Sequence, residues 1–327
     1  MRELRAHDVH SFHFWCCRHR ISPSPTELRI SLMKTLQANR VRLRLPSLDR
    51  ASKAALDRFG VLQPQEVILG LLGEYIGRNE KVWSGGLVSL LGDLGFSAAA
   101  SRIALNRVVT RGLLRPSRAG RFISYSITPR LAALHEEGRR LVFTREANPS
   151  WDGAWTLVRY SIPEELRPQR ARLSRWMAFR GFGSLQDGIW VAAGNRQREV
   201  ISLTRQLKLS PYVMVFLGAL PSQSAGRDVA LQGWNLAALG GLYEIFVRTF
   251  SQYCGKKALM LRDARECFIL RTRLIEMFRQ TAVYDPNFPD RILQIKWKRR
   301  ESIELFQLLQ SELKNGAREY FRGYAVS

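Results

Sequence analysis

The stretch Phe96-Ser97-Ala98-Ala99-Ala100-Ser101-Arg102-Ile103-Ala104-Leu105-Asn106-Arg107-Val108-Val109-Thr110-Arg111-Gly112-Leu113-Leu114 decides the fold of its surroundings. Ser97 has the chemistry of an N-cap, thirteen or so residues without Gly or Pro follow, and Gly112 stops the run. Helical spacing sorts Ser101, Ala104, Leu105, Val108 and Gly112 onto one small, buried face. Ala99, Arg102, Ile103, Asn106 and Thr110 fall on the other. Upstream, Pro64 opens a helix over 64–77 on Val67, Ile68, Leu71, Leu72, Tyr75 and Ile76, with Gly77 and Asn79 as its stop. Ser84, read as an N-cap, starts a second on Leu87, Val88, Leu90, Leu91 and Leu94, closed by Gly95. Downstream, a strand begins at Leu113-Leu114, Arg115 to Gly120 reads as a polar turn, and Arg121 to Thr128 alternates as a second strand. Two helices, a tight turn, a third helix and a hairpin are the order of a winged helix-turn-helix over 64–130.

The charge is laid over that pattern. Residues 97–130 hold Arg102, Arg107, Arg111, Arg115, Arg118, Arg121 and Arg130, and no Asp or Glu. A merely solvated face usually mixes signs, so this points to a polyanion. Arg and Asn can bond base edges bidentately in the major groove, which nominates Arg102 and Asn106, with Ala99, Ile103 and Thr110 beside them. Small residues at 98 and 99 would let the helix N-terminus, with Ser97, approach a phosphate. Arg107, Arg111, Arg115, Arg118 and Arg121 then hold the backbone and set register.

The whole chain agrees. Its 327 residues carry 51 Lys+Arg against 28 Asp+Glu, a net charge of +23, with 46% apolar and 10% aromatic residues. That excludes wholesale disorder, leaves room for two or three domains, and favours nucleic acid, an anionic membrane face or phosphorylated ligands. Four cysteines, Cys16, Cys17, Cys254 and Cys267, make no disulfide framework and suggest a reducing compartment. No apolar run reaches the length of a membrane span and no signal peptide is legible, so the expected place is the cytoplasm, off the membrane.

Residues 1–63 read as a basic leader, disordered or upstream of the true start, with Met33 as an alternative beginning. Its run His7, His10, His13, Cys16, Cys17, His19 has ligand types suited to zinc or copper. The crowding of four of the five histidines here reads first as a tail, and no metal centre is assigned. A helical connector spans 131–150, with Leu131, Leu134, Leu141 and Val142 as its stripe and Asn148-Pro149-Ser150 as its break.

Over 151–222 the order is strand (Trp151–Ile162), helix (168–180, with Leu173, Trp176 and Met177 inward), a short strand near Ser184-Leu185, strand (188–194), helix (196–208) and strand (212–220). This fits a ferredoxin-like α/β sandwich. Residues 223–327 read as a helical C-terminal domain with helices over 235–253, 258–281 and 301–321. A Pro-set turn covers 284–290, and a basic run, 296–300, is read as a solvated helix start rather than a phosphate site. The fold class is α+β.

Four stretches then resemble the PaaX-like family of phenylacetic acid degradation repressors. They are Ser97-x-x-Ala100-x-Arg102-x-Ala104-Leu105-x-Arg107-x-Val109 with Gly112; Trp151-Asp152-Gly153-x-Trp155-Thr156-Leu157-Val158; Gly181-Phe182-Gly183 with Gly188-Ile189-Trp190-Val191; and Leu274-Ile275 through Arg279 with Asp285-Pro286-x-x-Pro289. The resemblance runs from about Pro64 to Phe321. It implies a winged helix, a middle domain like that of CRISPR-adaptation nucleases and a helical C-terminal domain. It also implies a homodimeric repressor on double-stranded promoter DNA, released by phenylacetyl-CoA or another acyl-CoA, with no cofactor and no catalytic residue. The family's usual His near 274–279 is absent, with Glu276-Met277-Phe278 in its place, and the leader is not a family feature. An aryl group would suit a pocket of Trp151, Trp155, Trp176 and Trp190, although each singly reads as core packing. The competing expectation, a metal-dependent nuclease built on the middle domain, needs clustered carboxylates. The strand there ends at Tyr160-Ser161-Ile162-Pro163, with Asp152 at its far end. A peripheral membrane protein would need exposed large apolars on the helix at 168–180, where Trp176 fits a core better.

Overall fold

The computed structural model describes residues 59–77, 80–143, 150–254, 263–293 and 297–325. The leader through residue 58, with its His/Cys run and Met33, the break at Asn148-Pro149, the start of the helix expected from Ala258, and Lys296 all lie outside the described residues.

Helix α1, Pro64–Tyr75, starts on a proline that needs no N–H there and buries Val67, Ile68, Leu71, Leu72 and Tyr75. Helix α2, Ser84–Asp93, buries Leu87, Leu90 and Leu91. Ser84 is its first helical residue rather than its cap; Trp83 occupies the cap position with no side-chain hydrogen bond. Helix α3, Ala98–Thr110, is capped by Ser97, whose hydroxyl oxygen accepts from the Ala100 N–H at 3.2 Å. Strands β1 (Val82–Trp83), β2 (Leu114–Ala119) and β3 (Phe122–Ile127) form an antiparallel sheet in the order β1-β3-β2. The polar turn expected over Arg115–Gly120 is instead mostly strand. Pro116 is tolerated because β2 is an edge strand, where a missing N–H breaks no ladder. The turn is only Gly120-Arg121, between the paired Ala119 and Phe122, and Gly120 supplies its left-handed residue at φ +58°. Helix α4, Pro129–Phe143, follows directly, with Leu131 buried and Leu134 exposed.

The middle unit comprises β4 (Ala154–Tyr160), α5 (Arg167–Phe179), β5 (Gly183–Gln186), β6 (Ile189–Ala193), α6 (Gln197–Gln206) and β7 (Val213–Ala219). Its sheet is antiparallel throughout, in the order β5-β6-β4-β7. Alternation along β4 sends Val158 to one face, packed with Leu173, Met177, Val200 and Leu207 of the helical layer. Trp155 goes to the other face, where Ala230, Leu236, Phe288, Ile292 and Leu293 cover it.

Those covering residues belong to the helical remainder: α7 (Gln223–Gly233), α8 (Leu236–Phe250), α9 (Ala264–Tyr284), α10 (Asp290–Leu293), α11 (Arg299–Glu312) and α12 (Lys314–Ala325). Periodicity does not announce α7, and the single helix expected over 301–321 breaks at Leu313. These helices do not stand apart. Phe268 of α9 and Ala317, Phe321 and Ala325 of α12 lie inside the same core as α1, α2 and α3. Phe321 stacks on Tyr75 at 4.7 Å between ring centres. Arg271, 1% exposed, donates to Glu74 at 2.6 Å, to the Tyr75 hydroxyl at 3.0 Å and to the Gln310 carbonyl at 3.1 Å. The basic run near 298 is also not a solvated start throughout. Arg299 is fully buried and donates to Asp285 at 2.9 Å, and Tyr243 donates to the same carboxylate oxygen at 2.5 Å. Arg299 thus holds the turn Asp285-Pro286-Asn287-Phe288 from inside, reaching the Phe288 carbonyl and the Asn287 side chain.

Candidate nucleic-acid interface

Helix α3 divides as its spacing predicts. Ser101, Ala104, Leu105 and Val108 are buried against the shared core. Gly112 departs from that face: it lies past the helix end and is exposed. On the outer side Ser97, Ala99, Arg102, Ile103, Asn106, Arg107, Thr110 and Arg111 are all exposed, and so are Arg115, Arg118 and Arg121 of the hairpin. Ile103 stands 53% exposed in the middle of the helix face, a large apolar side chain one residue after Arg102 and one turn before Arg107. The Thr110 hydroxyl donates back to the Asn106 carbonyl at 2.9 Å, which leaves its methyl as the outward group.

None of Arg102, Arg107, Arg111, Arg115, Arg118 and Arg121 makes an ion pair among the described residues. Some arginines elsewhere are neutralised locally, Arg170 by Glu164, Arg180 by Glu137 and Glu199, and Arg265 by Asp93. Others, such as Arg172, Arg175, Arg198 and Arg205, are exposed and make no ion pair among the described residues; what sets the α3 segment apart is that 97–130 holds no acid at all. Arg130 is the exception within the acid-free segment, since it donates to the Arg111 carbonyl at 3.0 Å and fastens α4 to the end of α3.

The three hairpin arginines are not equivalent. Strand alternation places Arg118 on the same side of β2 as buried Leu114, the side that meets α3, and Arg115 on the opposite side with Ser117. Arg121 sits at the tip, its guanidinium 5.3 Å over the Phe122 ring. Phe122 in turn meets Trp83 edge-on at 6.3 Å, and both residues are about half exposed. Sequence reasoning did not include Trp83, Phe122 or Ile123 in the surface. The available signal was the adjacency of Phe122 and Ile123, since neighbours on a strand cannot both face one core.

The four tryptophans do not surround one pocket. Trp151 and Trp155 pack together at 5.5 Å, edge-on, on the sheet face covered by the C-terminal helices. Trp176 and Trp190 flank the core on the opposite face. A cavity of about 580 Å³ lies elsewhere, where α4, the Phe179-Arg180-Gly181 corner and the Asp285-Pro286-Asn287 turn meet. Arg140, Arg180 and Arg196 reach it, with Glu137 opposite. Burial works against ionisation of Glu199 nearby, yet the Arg196 and Arg180 guanidiniums beside it hold its pKa below the usual carboxylate value.

Asp152, the carboxylate on which nuclease chemistry would depend, accepts from the Ala154 N–H at 2.9 Å and shapes its own turn. Among the described residues no group of three or more His, Cys, Asp or Glu is placed to hold a metal ion. No helix among them is long and apolar enough to cross a membrane.

An α+β protein whose third helix and hairpin form an exposed, acid-free basic surface is therefore the class that the geometry defines. Three family models match the chain: PaaX-like protein over residues 63–131, the PaaX protein central Cas2-like domain over 148–230, and the PaaX-like protein C-terminal domain over 234–323. The chain belongs to the PaaX-like family. Over 238 residues it is 27% identical to the transcriptional repressor PaaX of Escherichia coli (strain K12), covering 71% of this chain and 74% of that protein. A solved structure, the uncharacterized protein Rv0674 from Mycobacterium tuberculosis, is 20% identical, with a TM-score of 0.48 over 79% of this chain and 98% of that one.

Proposed function

We propose that the protein is a transcriptional repressor that occupies double-stranded promoter DNA through α3. On this reading the N-terminal unit is a winged helix-turn-helix and the middle unit a ferredoxin-like sandwich, neither of them catalytic. One observation carries it: α3 and its hairpin present six exposed arginines with no ion pair among the described residues, inside a stretch, 97–130, that contains no Asp or Glu. Arg102 and Asn106 read base edges, Ile103 and the Thr110 methyl give apolar contact to thymine, and Arg107, Arg111, Arg118 and Arg121 hold phosphates. Two copies on a two-fold axis would place their α3 helices in successive major grooves, with half-sites about 10 bp apart or a multiple of that.

The regulated genes would serve breakdown of an aromatic acid such as phenylacetate, in the cytoplasm. An aryl-CoA thioester would release the repressor by binding better to a form with mismatched helix spacing. The cavity beside Phe179, Arg140, Arg180 and Arg196 supports this, because one of its walls is α4, which continues from the hairpin. A promoter gel shift repeated with a panel of acyl-CoAs tests both parts. Retarded promoter DNA, released by one thioester and not by free coenzyme A, is expected. Failure to retard any fragment of the neighbouring operon's promoter at moderate salt would overturn the proposal.

A further inference from the structure

We infer that β7 is a self-association surface, on which the edge strand of one copy pairs antiparallel with β7 of a second copy. The inference rests on the homodimer reading above and gives it a location.

Strand β7 is an edge of its sheet, and among the described residues no strand pairs with it on the side away from β4. Its ladder can be followed outward from measured bonds. The Ser161 N–H donates to the Tyr212 carbonyl at 3.0 Å, so Tyr212 turns its backbone toward β4. The register Arg159–Met214, Leu157–Phe216 and Trp155–Gly218 continues that alternation. Val213, Val215, Leu217 and Ala219 must then present their N–H and C=O groups outward. Exposed edges of this kind are usually blunted by Lys, Pro, a bulge or a covering element. At the opposite edge, β5 has α7 against it: Gly233 and Trp234, at the end of that helix, close on Gly183. Among the described residues no element pairs with or caps the outer edge of β7. From Leu209 to Gly226 there is no charged residue and no His, in a chain that is 24% charged. Its pairing with β4 shows no bulge, and Pro211 and Pro221 stand just outside its two ends. Met214 (46%), Phe216 (51%) and Leu217 (43%) are exposed apolar side chains along it.

A second copy is the occupant this strand fits. Antiparallel pairing about a two-fold axis through Phe216 sets Val213 opposite Ala219 and Val215 opposite Leu217. All four outward-facing residues then exchange both backbone bonds with the partner copy. No other symmetric register pairs all seven residues. Phe216 meets Phe216 of the other copy at a non-hydrogen-bonded site, where Cα atoms approach to about 4.5 Å, and Met214 faces the space left by Gly218. No like charges meet, which matters for two copies at +23 each. At about 200 Å² for a large side chain, the open parts of Tyr212, Met214, Phe216 and Leu217 give roughly 350 Å² of apolar surface per copy, before the backbone edge is counted. That lies at the low end for specific interfaces and describes a dimer that dissociates on dilution. The contact is isologous and closes at two copies.

Sedimentation equilibrium of the full chain without DNA tests this. Wild type is expected to show a concentration-dependent monomer–dimer equilibrium. Val215→Pro removes an N–H that the monomer does not use, and Phe216→Lys sets two cations face to face. Each is expected to raise the dissociation midpoint tenfold or more with an unchanged circular dichroism spectrum. Mixing Phe216→Lys with Phe216→Glu is expected to restore the dimer that neither forms alone. Phe216→Cys is expected to cross-link two copies under mild oxidation, beyond any cross-linking through the native cysteines of wild type. A wild type that stays monomeric, variants that dimerise like wild type, or a Phe216→Cys chain that dimerises without cross-linking would each overturn the inference. If Val215→Pro fails to fold, the Phe216→Cys variant decides. A dimer indifferent to β7 leaves the repressor reading standing, whereas a β7 dimer that retards no promoter removes that reading alone.

Discussion

Replacing Arg102 by alanine separates the two ways in which a basic helix can hold DNA. Arg102 is exposed on the second turn of α3 and has no carboxylate partner among the described residues, so its loss should leave folding stability within about 0.5 kcal/mol of wild type. Arg118 is equally bare but sits on β2, on the face that meets α3 and away from the helix's outward row. If Arg102 bonds a guanine edge bidentately, its removal costs about 1–3 kcal/mol on the operator, roughly 5- to 150-fold in Kd, and much less on random duplex. One base preference should relax at the same time. If Arg118 holds a phosphate, Arg118→Ala should weaken operator and random DNA alike and lower the slope of log K against log salt by about 0.9. Fluorescence anisotropy on both duplexes from about 50 to 200 mM salt measures all four quantities. Equal losses on operator and random DNA for both variants would refute the division between base reading and backbone holding.

Three further outcomes follow from the packing. Burial holds His135 below its ordinary value of 6.5, opposed by a hydrogen bond to the Leu69 backbone. The folded chain therefore takes up that proton less readily than the unfolded chain, and stability present above pH 6.5 should fall as pH drops through and below that value. His135→Gln should flatten the decline in thermal melts, and an unchanged decline would assign it to other groups. A Cβ on Gly86 would lie 1.9 Å from the Tyr324 carbonyl oxygen, so Gly86→Ala should cost about 1–3 kcal/mol in urea unfolding by pushing α12 off α2. Arg271→Met should cost roughly 3–5 kcal/mol, since it leaves Glu74 and the Tyr75 hydroxyl facing an apolar side chain. The Tyr75 phenol, pushed up to about 12 chiefly by burial, stays neutral and cannot compensate.

What the sequence showed and what it hid divide by range. Helix α3, its Ser97 cap and its two faces were legible because each signal lies within thirteen residues, where spacing alone fixes orientation. The four strands of the middle unit were legible for the same reason, down to the short β5. Pro116 misled because a proline in a strand is forbidden or harmless according to which edge is free, and sheet order is not local. Arg299 misled because its partner Asp285 is fourteen residues away across a turn that periodicity does not describe. The tryptophans misled because period two sends Trp155 and Trp190 to opposite sides of one sheet, even though both strands are apolar. The contribution of Phe268 and Phe321 to the core of α1, α2 and α3 has no local signature at all.

That shared core restricts where the molecule can bend. The unit of α1, α2 and α3 is welded to α9 and α12 by buried Phe321, Phe268 and Arg271. The middle sheet is in turn welded to the C-terminal helices by Trp155, Phe288 and Leu236. Between α4 and the middle unit the link is polar: Glu137 to Arg180, with Arg180 also shared by Glu199 and lying about a third exposed beside the cavity. Apolar contacts resist opening in proportion to the area they hide, whereas a partly solvated ion pair yields for about 1 kcal/mol or less. A ligand with an anionic group entering that cavity competes for Arg180 at a joint where the loss is small. Glu137→Gln should therefore ease the same opening without ligand, lowering operator affinity while leaving Tm nearly unchanged. A variant with wild-type affinity would move the hinge elsewhere in the fold.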